Sequence, residues 1–158
     1  MGKVISLNDI LPVRDTLKRE KKRVVFTNGC FDIIHRGHVE YLSKAKALGD
    51  ILIVAVNSDV STRRIKGDKR PIVPEKDRAF IVENLSPVDY VVLFNEDTPY
   101  EIIKALVPDI LVKGADWKKD DIVGKDIVEK AGGTVSTIEF VQDKSTTNVI
   151  ERVLQMYR

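Results

Sequence analysis

Residues 51–56, ILIVAV, are apolar at every position, and this run constrains the fold more than any other feature of the chain. A strand with one wet face alternates apolar and polar residues. An unbroken run belongs to a strand covered on both faces, as in a parallel sheet with helices above and below. The rest of the sequence meets that demand. Residues 23–27, 88–94, 109–112 and 134–140 are further short β-type runs, which makes five strands. Between them lie segments of helical period. Val39, Leu42, Ala45 and Leu48 recur every third residue until Gly49 and Asp50 end the pattern, and Ala79, Ile81, Val82 and Leu85 form a stripe ended by Ser86 and Pro87. Residues 100–106 and 123–131 read as two more helices, 6–21 as a leading helix and 146–158 as a closing one. Such alternation implies right-handed crossovers and an α/β, doubly wound fold with a mainly five-stranded parallel sheet. A length of 158 residues fits a single domain over 1–158, with 1–22 as the leading helix and 23–158 as the α/β core.

Composition removes several functional classes. Lys plus Arg number 26 against 24 Asp plus Glu, a net charge of +2 that offers no broad footprint for nucleic acid. The longest apolar run is far below the roughly 20 residues a membrane span needs, and the opening MGKVISLNDILPVRD has no readable secretory signal. Cys30 stands alone, which excludes a disulfide framework and a cysteine-rich zinc site. The expectation is a cytoplasmic globular domain that binds neither membrane nor nucleic acid.

In doubly wound sheets ligands bind beyond the carboxyl ends of the strands. The loop after the first strand, TNGCFDIIHRGH at residues 27–38, holds both histidines of the chain, His35 and His38. Gly29 and Gly37 let backbone approach a bulky anion, and the following helix presents free N–H groups and a positive dipole end. Two imidazoles at that place can donate to phosphate oxygens and stabilise charge that develops as one phosphate leaves another. A His-x-x-His pair can also chelate a metal with Cys30 and Asp32, although the H-E-x-x-H spacing is missing. Cys30 is also read as a small buried residue, and Asp32 as a residue that orients the loop or places Mg²⁺ through water.

GCFDIIHRGH at residues 29–38 resembles the G-x-F-D-x-x-H-x-G-H signature of the cytidylyltransferase-like nucleotidyltransferases. Further segments occur in the order seen in the family's heptose 1-phosphate adenylyltransferase branch: VAVNSD at 54–59, KGDKRP at 66–71, EDTP at 96–99, LVKGAD at 111–116 and STTN at 145–148. The resemblance covers about residues 5–158. It implies a Rossmann-like fold and transfer of AMP from ATP to D-glycero-D-manno-heptose 1-phosphate by direct in-line attack, giving ADP-heptose and pyrophosphate, with Mg²⁺ accompanying ATP. It also implies His35, His38 and Lys66 as the catalytic set. Nucleotide contacts would come from Thr27, Asn28, Gly29, Cys30, Phe31, Lys113, Gly114, Asp116, Ser145, Thr146 and Thr147. Sugar-phosphate contacts would come from Arg70, Asn57 and Asp59. No protein metal ligand is implied, and small members of the family are commonly homodimers.

The remaining motifs carry bland readings beside these. Lys66, Lys69 and Arg70 form a charge run that, in isolation, is a solvated surface. Arg78 either serves the phosphates or pairs with Glu75. Ser145 suits a helix N-cap, and capping and anion binding use the same helix end. Val149, Ile150, Val153, Leu154 and Tyr157 give that last helix an apolar stripe. Trp117 either stacks on a ligand or packs half-buried. Cytidine-handling relatives often carry an Arg shortly before Ser-Thr-Thr, where this chain has residues 140–143, FVQD. That departure weakens a cytidylyltransferase assignment; the alternatives beside the adenylyl reading are a cytidylyltransferase acting on glycerol 3-phosphate or another small phosphate ester, and a non-catalytic nucleotide-binding module.

Overall fold

The computed structural model describes residues 1–141 and 144–157; Gln142 and Asp143, read above as part of the stretch before Ser145, and Arg158 of the closing helix lie outside them. The elements in chain order are β1 (Lys3–Val4), α1 (Leu7–Arg19), β2 (Val24–Gly29), α2 (Arg36–Lys46), β3 (Ile51–Asn57), α3 (Asp59–Lys66), α4 (Glu75–Glu83), β4 (Tyr90–Phe94), α5 (Tyr100–Leu106), β5 (Ile110–Gly114), a 3₁₀ turn (Lys119–Asp121), α6 (Lys125–Lys130), β6 (Thr134–Ile138) and α7 (Thr146–Met156). All strand pairs are parallel, in the order β1-β4-β3-β2-β5-β6.

The sheet has six strands where the sequence indicated five. The extra strand is β1, a two-residue edge whose Lys3 and Val4 are both exposed, so no apolar run announces it. Helix α3 also has no counterpart in the sequence reading. Its buried residues are Ser61 and Thr62, which leave no hydrophobic stripe to detect.

Burial explains the unbroken run in β3. Leu52, Val54 and Val56 pack into one core with Leu42, Ala45 and Val82, while Ile53 and Ala55 pack into a second with Ile10, Phe26 and Ile103. Adjacent residues of a strand point to opposite faces, so a strand between two cores is apolar throughout. Strand order runs outward from β2 to β3 and β4, then the chain crosses back to place β5 on the other side of β2. That reversal opens a crevice at the carboxyl ends of β2 and β5.

Arg78 on α4 is fully buried and locks the strand ends beneath this crevice. Its guanidinium donates to the carbonyls of Cys30, Asn57 and Val73 and to Asp59 Oδ1, the last at 2.8 Å. It pairs with neither Glu75 nor the cleft: Glu75 instead accepts from the Asp59 amide at 2.7 Å. Four acceptors from three segments depend on one side chain. Replacing it leaves a half-buried carboxylate and three carbonyls without their donor, so Arg78→Met should cost about 3 kcal/mol. Thermal unfolding should register a fall of about 9 °C, with Arg78→Lys recovering less than half because an ammonium cannot reproduce the planar fork.

Candidate active site

The loop between β2 and α2 is bent sharply. Phe31 adopts φ 48°, in the left-handed region, and Gly29 leaves room for its ring, which would lie 3.1 Å from a Cβ there. The turn buries Asp32, whose carboxylate accepts from the amides of Ile72 at 2.9 Å and Val73 at 2.8 Å and from Arg70 Nε at 2.5 Å. Burial pushes this carboxyl up, but the two amides and the guanidinium outweigh it, and the group is held below its ordinary range. Asp32 therefore ties the segment that follows α3 across the mouth of the crevice.

His35 is the N-cap of α2. Its Nδ1 accepts from the Gly37 amide at 3.1 Å, and the His35 amide donates to Nδ1 of His38 at 3.4 Å. This reciprocal capping occupies both Nδ1 atoms as acceptors, so each neutral ring carries its proton on Nε2. The ring centroids are 3.9 Å apart. Burial, then the neighbouring His35, pushes His38 down to about 4; burial, then Lys144, lowers His35. At neutral pH the pair offers two neutral N–H donors at a helix N-terminus.

The start of α7 stands opposite. Ser145 caps it by accepting from the Asn148 amide at 3.1 Å, and the Thr146 hydroxyl reaches the carbonyl of Ile33 at 3.5 Å. A Cβ at Gly37 would lie 3.2 Å from Cβ of Lys144, so glycine is what lets the two helix ends meet. The result is a cleft of about 770 Å³, within the range of small-molecule sites.

Every residue expected at the site borders this cleft except Thr27 and Asp59. Thr27 is fully buried, with its hydroxyl on that of Tyr41 at 2.8 Å, and Asp59 holds Arg78. Asn57 borders the cleft although it is nearly buried, and its amide donates to Ser61 at 3.0 Å. Lys66 is the exposed last residue of α3, and Arg70 reaches the cleft while bound to Asp32. Asn28 Oδ1 is a buried acceptor with no hydrogen-bond partner among the described residues. Lys113 is pushed down to about 8 by burial, against the opposing pull of Asp116 and Cys30, and its ammonium lies 5.6 Å from the Trp117 ring centroid. The sequence reading missed Tyr41 and Phe140, whose rings stack with centroids 5.7 Å apart at the cleft wall. The signal available for Phe140 was its place just before Ser145.

A cytidylyltransferase-like family model matches residues 26–152. The chain belongs to the cytidylyltransferase-like family. Among curated relatives, the bifunctional protein HldE of Syntrophotalea carbinolica is 55% identical over 152 residues, covering 96% of this chain and 30% of that protein. HldE of Helicobacter pylori strain J99 is 54% identical over 151 residues, covering 96% and 31%. The chain thus spans about a third of the length of the curated relatives it matches. Among solved structures, a lipopolysaccharide core biosynthesis protein from Thermoplasma volcanium is 35% identical with a TM-score of 0.62, covering 76% of this chain and 97% of that one. A pantoate-beta-alanine ligase from Francisella tularensis, at 13% identity and TM-score 0.65, shares the fold.

Lys113 gives this family member a measurable pH signature. Its folded-state value near 8 lies below the ordinary 10.5, so the native protein releases that proton before the unfolded chain does, and stability rises with pH between the two. At pH 7 the buried charge is a cost. Lys113→Met should therefore melt above the unaltered protein at pH 7, and the gap should narrow towards pH 10. A gap that stays constant across that window in calorimetry would contradict the assignment.

Proposed function

We propose that the chain transfers AMP from ATP to D-glycero-D-manno-heptose 1-phosphate, releasing pyrophosphate and forming ADP-heptose. The observation that carries this reading is the pairing of two N–H-bearing imidazoles with the start of α7 across one cleft. Such a cleft suits a triphosphate held from two sides. Relatives 48–59% identical over this region bear the name bifunctional protein HldE, which supports the same reading.

A phosphate oxygen of the sugar phosphate attacks the α-phosphorus of ATP. One P–O bond forms there as the bond to the bridging α–β oxygen breaks, and pyrophosphate leaves. The attacking group is already an anion, so no protein nucleophile is needed. The chain's work is to position two anions and stabilise the charge that builds between them. His35 and His38 donate through Nε2 to the reacting phosphates. Ser145, Thr146 and Thr147 hold the outer phosphates, and Lys66 moves in from the end of α3 as a mobile cation. Arg70, fixed by Asp32, receives the sugar phosphate.

Among the described residues no group of three or more His, Cys, Asp or Glu side chains has the arrangement to hold a metal ion, and both oxygens of Asp32 are engaged. Mg²⁺ enters as part of the MgATP substrate, where it neutralises phosphate charge. The reading carries a cytoplasmic location, where ATP is supplied, and a single domain over residues 1–158. It also carries a homodimer, for which the exposed apolar residues Val153, Leu154 and Met156 of α7 and Tyr157 just after it offer surface. Among the described residues no helix is long and apolar enough to cross a membrane.

Pyrophosphate release tests the assignment. ATP with the heptose 1-phosphate should give product, whereas CTP with glycerol 3-phosphate should give little; the opposite order would move the chain to the cytidylyltransferases, and release with no pair would make it a binding module. His38→Ala should lower turnover at least tenfold, about 1.4 kcal/mol of barrier, with an unchanged circular dichroism spectrum. Near-normal turnover would remove the histidine from the mechanism.

A further inference from the structure

We propose that the end of the sheet opposite the cleft carries a second anion site, built to take a phosphate group. A cavity of about 350 Å³ lies there, between α1, the turn before β5 and the turn before β6. Its size suits a phosphate or a small phosphate ester. The transfer reaction makes no use of it, so the proposal stands apart from that reading.

The walls are cationic. Arg14, Lys18 and Arg23 border the cavity against a single acid, Asp109. Arg14 and Lys18 lie one helical turn apart on α1 and so share a face. Asp109 is already engaged: its Oδ2 accepts from the Val24 amide at 2.8 Å and pairs with Arg14 Nη2 at 3.2 Å. Lys18 and the Arg23 guanidinium have no carboxylate partner among the described residues, and Arg23 Nη2 donates to the Leu48 carbonyl at 2.6 Å.

Arg14 is the fixed point of the cluster. Its side chain is only 7% exposed, and one edge of the guanidinium holds the end of α5. Nε donates to the Leu106 carbonyl at 3.1 Å and Nη2 to the Val107 carbonyl at 2.8 Å. Nη1 is buried with no hydrogen-bond partner among the described residues. A buried donor left unmet is costly, and so is a cluster of cations with one shared counter-charge. Both call for a small acceptor of high negative charge. Phosphate oxygens point to the corners of a tetrahedron, so one group can take the fork of an arginine and the point charge of a lysine from different sides. A carboxylate offers acceptors in one plane only. Thr134, exposed at the start of β6, adds a hydroxyl donor at the rim.

Amide NMR of the full chain, titrated with inorganic phosphate and with glucose 1-phosphate, tests the site. The cleft serves as an internal reference, since the amides of Gly37 and Thr146 report on it separately. Phosphate should move the amides of Val107, Asp109, Gly132 and Gly133 along a saturable curve of their own. Tighter binding of glucose 1-phosphate would make an ester the natural ligand, and equal or weaker binding would make it the free anion. The variant Lys18→Gln/Arg23→Gln changes two side chains outside the core and outside the cleft, so its fold and its cleft shifts should stay as they are. Its shifts at 107–109 and 131–134 should need about tenfold more phosphate. Three results would overturn the site: no shift at those turns when the cleft is saturated, the same shift produced by chloride at equal ionic strength, or unchanged affinity there in the double variant.

Discussion

The first turn of α2 is closed by two histidines, His35 accepting from the Gly37 amide and His38 from the His35 amide, and the chemistry of the cleft follows from those two hydrogen bonds. Capping occupies both Nδ1 atoms, which places the protons on Nε2. The three-residue spacing brings the rings together at a tilt, and burial, reinforced by Lys144 beside His35 and by His35 beside His38, keeps both neutral. One local motif therefore fixes position, tautomer and charge. Gly37 completes it, because a side chain there would meet both the His35 ring and the Lys144 stem that brings in α7.

Around this motif the chain separates cations that are fixed from cations that are free. Arg78 and Arg70 are each fixed by a carboxylate, the first wholly structural beneath the cleft and the second held in place at its mouth. Lys66 stands exposed at the end of a short helix whose following Gly67 has φ 92°, so it can move toward a substrate. Lys113 lies between these extremes, held half-buried beside Trp117 with its charge disfavoured until an anion arrives. Asn28 Oδ1 adds a buried acceptor with no hydrogen-bond partner among the described residues.

The doubly wound fold was legible because buried parallel strands write themselves as apolar runs, and 51–56 does so without a break. Elements that bury little apolar surface wrote nothing: β1 is two exposed residues, and α3 rests on Ser61 and Thr62. The histidine loop was legible because unusual residues cluster at a predictable strand end. Arg78 was misjudged because a charged residue on a helix reads as surface, and only the third dimension brings four acceptors to it. Tyr41 and Phe140 were missed for a related reason. Each passes for core or loop by itself, and their meaning lies in a contact between residues 99 positions apart in the chain.

The most direct measurement is a crystal structure of the chain grown with a non-hydrolysable ATP analogue and Mg²⁺. The triphosphate should lie between the two helix ends, with Nε2 of His35 and His38 within hydrogen-bond distance of its oxygens and the first amides of α7 on the opposite side. Nucleotide lodged elsewhere, or imidazoles turned away from it and coordinating a metal of their own, would contradict the account.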